Sequence, residues 1–128
     1  MMMRMAEVAA QRGTCSRLQV GVVISRNGRV MSTGYNGAPA RTDHCVHEDD
    51  APCEVSVHAE ANAVAWAARH GIRTEGADMF VTHQPCLKCA QLIVNAGIGR
   101  VVYLADYRLE DGVRLMRSAG IAVLRHHR

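Results

Sequence analysis

The sequence predicts an α/β fold in which a mixed sheet, part of it parallel, lies between layers of helix. Two β-branched runs flank an Asn-Gly pair, the mark of a tight hairpin, and after that hairpin helical and strand-like segments alternate, which favours parallel pairing. With 128 residues, 48% hydrophobic and 21% charged, the chain is sized for one domain, residues 1–128, with one core and one active site.

Met2 to Arg12 holds helix formers with no breaker until Gly13, which is placed to cap that helix at its C-terminus. Gln19 to Ser25 and Arg29 to Tyr35 are the hairpin strands, joined through Arg26-Asn27-Gly28. Asn36 to Val57 shows no periodicity but carries two prolines, an acidic cluster and Cys45, His47 and Cys53. A loop of that length in a compact domain is functional or is held by something.

Beyond the loop, His58 to Gly71 is Ala-rich and unbroken, and reads as a buried helix. Asp78 to His83 reads as a strand, Cys86 to Ala96 as a helix, Arg100 to Ala105 as a strand, Leu109 to Ser118 as a helix and Ile121 to Arg125 as the last of five strands. Trp66, the single tryptophan, is expected to fill core or a subunit interface, and Asn62 to brace the neighbouring loop.

Composition excludes several classes of function. The net charge is only +3, the arginines are scattered and aromatics are few, so no stable nucleic-acid partner is expected. Apolar runs such as Val20 to Ile24 fall far short of a membrane span, and the Met-rich start has no signal-peptide core; no membrane association and a cytoplasmic location are the expectation. Five cysteines in such a chain read as metal ligands or thiols rather than as a disulfide framework.

Two short segments carry the chemistry: His58-Ala59-Glu60 at one helix start, and Pro85-Cys86-Leu87-Lys88-Cys89 at the next. Cysteines spaced i, i+3 at a helix start share one side of the first turn, where unpaired N–H groups and the positive dipole end favour thiolates. With the His58 imidazole they make three protein ligands for Zn2+ and leave a fourth, tetrahedral position for water, which is the arrangement of a catalytic site. Glu60 points too far round its helix to be an obvious fourth ligand but can reach that water, so its role is the proton shuttle. Taken alone, Cys86-x-x-Cys89 also suits a structural zinc knot and His58 an ordinary satisfied histidine. The two segments together are far more specific, and a purely structural site has no need of Glu60.

Cys15, Cys45, His47 and Cys53 are left over, three of them in one loop. Four such ligands would close the shell of a second, structural zinc, with His44 able to replace His47; the alternative is free, partly buried thiols.

The chain resembles the deoxycytidylate deaminases of the cytidine deaminase superfamily, phage and bacterial members included, from about Cys15 to its end. The resemblance is carried by Gln19-Val20-Gly21-Val22-Val23-Ile24, Gly34-Tyr35-Asn36-Gly37-Ala38-Pro39, Val57-His58-Ala59-Glu60-Ala61-Asn62-Ala63 and the Cys86 pair. It implies a three-layer α/β/α cytidine deaminase-like fold with a five-stranded mixed sheet, and zinc-dependent deamination of dCMP to dUMP. Deaminases of other cytosine nucleotides or nucleosides, and tRNA adenosine deaminases, are the alternatives. The resemblance further implies that Asn36 contacts the sugar, that the Ala59 backbone and Glu60 hold the pyrimidine edge, that Gln19 belongs to the substrate site and that Tyr107 lies near the phosphate. Asn36-Gly37 as a simple turn and Tyr107 as a core edge are the plainer readings. Cys15 and Cys45 match metal-binding cysteines of the phage relatives, and the His83-Gln84 backbone is expected to line the pocket. The family is commonly hexameric, so a homo-oligomer is expected. The short segment between Cys45 and His58 departs from relatives that carry an insertion, which puts inherited regulation by dCTP and dTTP in question.

Overall fold

The computed structural model describes residues 1–13, 18–42, 56–107 and 109–127. Helix α1 (Met2–Ala10) precedes the hairpin of β1 (Gly21–Arg26) and β2 (Arg29–Tyr35). There follow α2 (Ala59–Arg69), β3 (Asp78–His83), α3 (Leu87–Asn95), β4 (Arg100–Ala105), α4 (Asp111–Ser118) and β5 (Ala122–Arg125). Asn27 and Gly28 both take positive φ, 52° and 76°, the backbone that lets a two-residue turn follow the twist of its strands. None of the described helices is long and apolar enough to cross a membrane.

The strands lie in the order β2-β1-β3-β4-β5. β1 is antiparallel to both β2 and β3, whereas β3, β4 and β5 are mutually parallel, so α3 and α4 serve as the crossovers that parallel neighbours need. Alternation along β1 sends Val22 and Ile24 to one face and Val23 to the other. On the first face Val22, Ile24, Met79, Val81 and Val101 pack against α2, α3 and α4 through Ala63, Ile93 and Met116. On the second, Met3 and Ala6 of α1 cover Val23 and Val102. This is the five-stranded mixed sheet between helical layers that the sequence predicts. Ile24, Met79, Ile93 and Met116 are fully buried, and each such side chain contributes about 1.5–3 kcal/mol.

Two glycines set how closely helices approach the sheet. A Cβ on Gly21 would fall 1.9 Å from the Ala6 carbonyl oxygen, and one on Gly34 would fall 2.4 Å from that of Ala59 and 2.7 Å from the Ala63 nitrogen. The helix backbones occupy the volume that side chains would need.

Two expectations are corrected. Helix α1 ends at Ala10 with Gln11 as its C-cap in the right-handed region, so Gly13 is not the cap. A side chain at Gly13 is excluded by space instead, since its Cβ would lie 2.7 Å from Asn36 Oδ1. Of the two places expected for Trp66, core or subunit interface, the core is ruled out: it is 51% exposed and stacks on His70 at 3.9 Å between ring centroids. The buried face of α2 is Ala59, Glu60, Ala63 and Ala67, and the close approach those residues permit leaves no room for an indole.

Gly21→Ala is expected to lower stability by roughly 3 kcal/mol, because the added methyl collides with backbone that moves only with all of α1. Gly99→Ala, whose Cβ would meet its nearest neighbour at 3.6 Å, is the control and is expected to stay within about 1 kcal/mol of wild type. Urea denaturation of both variants checks this, and equal midpoints would disprove it.

Candidate active site

His58 is the N-cap of α2 and Cys86 the N-cap of α3, each with extended backbone, and Cys89 lies in the first turn of α3. Neither N-cap side chain makes a capping hydrogen bond. They turn toward each other: His58 Nδ1 lies 3.2 Å from Cys89 Sγ and 3.6 Å from Cys86 Sγ, and the three ligand atoms all fall within 4.8 Å of one another. A tetrahedral zinc with bonds of about 2.3 Å to sulfur and about 2.1 Å to nitrogen separates its ligand atoms by roughly 3.6–3.8 Å. The donor set fits zinc, with Nδ1 as the imidazole donor; the Cys86 separation matches and that to Cys89 is about 0.4 Å short, a shift small enough for side-chain rotation. His58 is exposed, Cys86 half-buried and Cys89 buried, so the cluster has one side toward solvent.

The electrostatics favour a cation at the same point. Hydrogen bonds from the Cys89 and His58 side chains hold Cys86 down at about 4. That same hydrogen bond pushes the Cys89 thiol up, as do burial and the negative charges of Glu60 and Cys86. Glu60 is 5% exposed, and burial is the main cause that raises its carboxyl above the ordinary value, with the Cys86 charge adding to it. Hydrogen bonds from its own backbone and from Cys89, and the charge of His58, act in the opposite direction.

The surrounding residues hold the frame. Asn62 donates from Nδ2 to Tyr35 O at 2.6 Å, fastening α2 to the end of β2. Asn36 is buried; its Oδ1 accepts from Val20 N at 2.7 Å and its Nδ2 donates to Leu18 O, so much of its amide is spent on the entry to β1. Gln19 donates from Nε2 to Gly13 O at 3.1 Å. Ala59 is fully buried at the start of α2, and Tyr107 lies just past β4, 39% exposed. The structure thus brings His58, Glu60, Cys86 and Cys89 together; for Asn36 and Gln19 it shows backbone partners near α1 and β1. Cys15, Cys45, His47 and Cys53, with His44, lie outside the described residues.

Two residues without an assigned side-chain role stand out. Thr82 Oγ1 accepts from Gly21 N at 3.1 Å and contacts His83 Nδ1 at 2.8 Å, and burial lowers the pKa of His83. Gln84 is 5% exposed and bonds the loop after β4. Their only sequence signal was their place beside the Pro85-Cys86 turn.

The cytidine and deoxycytidylate deaminase zinc-binding region, as a family, matches residues 1–105. ComE operon protein 2 of Bacillus subtilis is 39% identical over 126 residues, covering 94% of this chain and 67% of that protein. Deoxycytidylate deaminase of Saccharomyces cerevisiae is 36% identical over 132 residues, again with 94% of this chain, which spans only 42% of the yeast protein. Among solved structures, dCMP deaminase of cyanophage S-TIM5 in complex with dCMP and dUMP superposes with a TM-score of 0.91 at 32% identity, covering 97% of this chain and 93% of the phage chain. The matched range includes the stretch from His58 to Cys89 and four of the five strands, and the chain belongs to the cytidine and deoxycytidylate deaminase family.

Proposed function

We propose that this chain is a hydrolase that deaminates dCMP to dUMP and ammonia, with residues 1–128 acting as one zinc-dependent catalytic domain in pyrimidine nucleotide metabolism. The observation that carries the reaction is the meeting of His58 Nδ1 with two cysteine sulfurs beside a buried glutamate. The choice of nucleotide is supported by the cyanophage enzyme, which covers nearly the same length.

His58, Cys86 and Cys89 would hold the metal. When bound there, zinc supplies the Lewis acidity that makes water a nucleophile near neutral pH. Glu60 takes a proton from that water onto a carboxylate oxygen and passes it to ring nitrogen 3 as the oxygen bonds to carbon 4. It then carries the second proton to the exocyclic amino group; the carbon–nitrogen bond breaks and ammonia leaves. The burial of Glu60 keeps bulk water from short-circuiting that transfer. The first N–H groups of α2 have no acceptor within the helix, and that of Ala59 is offered to the pyrimidine edge. Asn36 and Gln19 serve the sugar side, and Tyr107 the phosphate.

A second, structural zinc held by Cys15, Cys45, Cys53 and His47, or His44 in its place, is part of the same reading. Its support is the chemistry of four leftover ligand-type residues, three in one segment. Reduced thiols as metal ligands also support a cytoplasmic enzyme. The exposed Trp66–His70 stack on the outer face of α2 supports a homo-oligomer, for which a hexamer is the family precedent.

Glu60→Ala is expected to keep its zinc and its thermal transition while kcat falls at least ~1000-fold, since the ligands are untouched and the proton path is lost. Deamination at a near wild-type rate would disprove the mechanism. The phosphate should be read strongly: kcat/KM for dCMP is expected to exceed that for deoxycytidine by at least ~100-fold. Equal turnover of the two, measured by ammonia release, would make this a nucleoside deaminase. Metal analysis is expected to give about two zinc ions per chain, falling to about one in Cys15→Ser or Cys45→Ser with lower thermal stability. A single zinc in the wild type, with both thiols alkylated in the folded protein, would remove the second site.

A further inference from the structure

Gln84 lies between β3 and the Pro85-Cys86 turn, two residues before the first cysteine of the cluster. Its side chain is buried, and an amide withdrawn from water is costly unless its donors and acceptors are matched. The matches all go to one segment. Gln84 N donates to Ala105 O at 2.8 Å, Nε2 donates to Leu109 O at 3.0 Å, and Oε1 accepts from Tyr107 N at 3.3 Å. Alternate residues of the stretch that joins β4 to α4 are thus tied to a single glutamine.

That stretch stands beside the metal cluster. β3 and β4 are parallel, with His83 opposite Ala105, so the Pro85-Cys86 turn and the loop after Ala105 leave the sheet at the same end. In an open α/β sheet, ligands bind outside the carboxyl ends of the strands. Helix α4 then returns so closely that a Cβ on Gly112 would lie 2.7 Å from Pro85 O and 3.0 Å from Cys86 O. Between those anchors Tyr107 and Leu109 present exposed side chains, 39% and 52% accessible. The Asp106–Arg125 ion pair at 3.3 Å also touches the loop, but it is solvent-exposed and holds little.

The geometry points to Gln84 as a positioning residue whose buried amide fixes Tyr107 and Leu109 as a wall of the substrate site. The inference rests on the deaminase reading above. Gln84 acts through the loop and not on the reacting atoms, so it governs how tightly the nucleotide is held more than how fast its bond breaks. A residue that serves stability alone would not separate those two quantities.

Three variants of the zinc-loaded enzyme test it. Gln84→Met keeps the length of the side chain and loses its hydrogen bonds; Gln84→Asn is one methylene too short to span both partners, and decides the matter where the methionine variant does not fold. Either is expected to speed hydrogen exchange at the Tyr107 amide about tenfold while amides of β3 and α3 are unchanged. In the same variants KM for dCMP is expected to rise about tenfold, with kcat within about threefold of wild type and the zinc content retained. Gln84→Glu keeps the acceptor for Tyr107 N–H and is expected to slow exchange at that amide again. Unchanged exchange at Tyr107 overturns the proposal whatever the activity, and so does a fall in kcat at constant KM. A wild type that turns over no dCMP overturns the deaminase reading instead, and the exchange result still decides whether Gln84 holds the loop.

Discussion

The site depends on how closely α2 lies on β2, because a histidine on one helix must meet two cysteines that belong to the next strand-helix unit. Metal–ligand bonds tolerate errors of only about 0.2 Å, so the helix must be set with comparable accuracy. Gly34 and the Ala59, Ala63, Ala67 stripe remove the side chains that would otherwise prop the helix away from the sheet. Polar ties then fix its position along the strand: Ser32 Oγ donates to Ala63 O at 2.8 Å, and Asn62 reaches Tyr35 O. Small residues set the height of the helix and buried hydrogen bonds its register. His58 arrives opposite Cys86 and Cys89 as a consequence of both.

On the other side of the cluster the same device recurs with different parts. Gly112 lets the start of α4 rest against the carbonyls of Pro85 and Cys86, and Gln84 fastens the loop that feeds that helix. The turn that carries the first cysteine is therefore packed from behind by one close helix approach while its neighbour across the cluster is packed by another. The core under the sheet supplies stability, whereas these small-residue contacts supply position.

Much of this was legible in the sequence because the signals were local. The Asn27-Gly28 turn, the β-branched runs around it and the alternation after His58 depend on neighbours a few residues apart, and each element formed close to where those signals place it. The cluster was legible for a different reason: histidine and cysteines at helix starts have few other uses, so residue chemistry stood in for distance. What was not legible depends on partners far along the chain. Gly21 answers to Ala6 on one side and to Thr82, 61 residues away, on the other. Gln84 answers to Leu109, and the amide of Asn36 to Leu18 and Val20. Gly13 reads as a cap from its neighbours alone, and the true constraint, Asn36, lies just past β2, far along the chain. Trp66 reads from the sequence as core or subunit interface, and its size is what excludes it from a helix face packed at alanine distance.

Charge explains why so much positional accuracy is concentrated here. Hydrogen bonds from Cys89 and His58 pull the Cys86 thiol down, the same Cys86–Cys89 hydrogen bond and burial push the Cys89 thiol up, and burial chiefly raises Glu60, with Cys86 adding to it. Three acidic groups therefore compete for protons in a space that the fold has partly closed to water, and each makes the ionisation of the others harder. A dication at the centre of the cluster reverses the sign of that interaction: both sulfurs can then be thiolates, and Glu60 is relieved of its repulsion. Zinc held there would add its binding energy to that of folding. In the proposed reaction Glu60, buried beside the cluster and not needed as a ligand, moves protons instead of holding the ion.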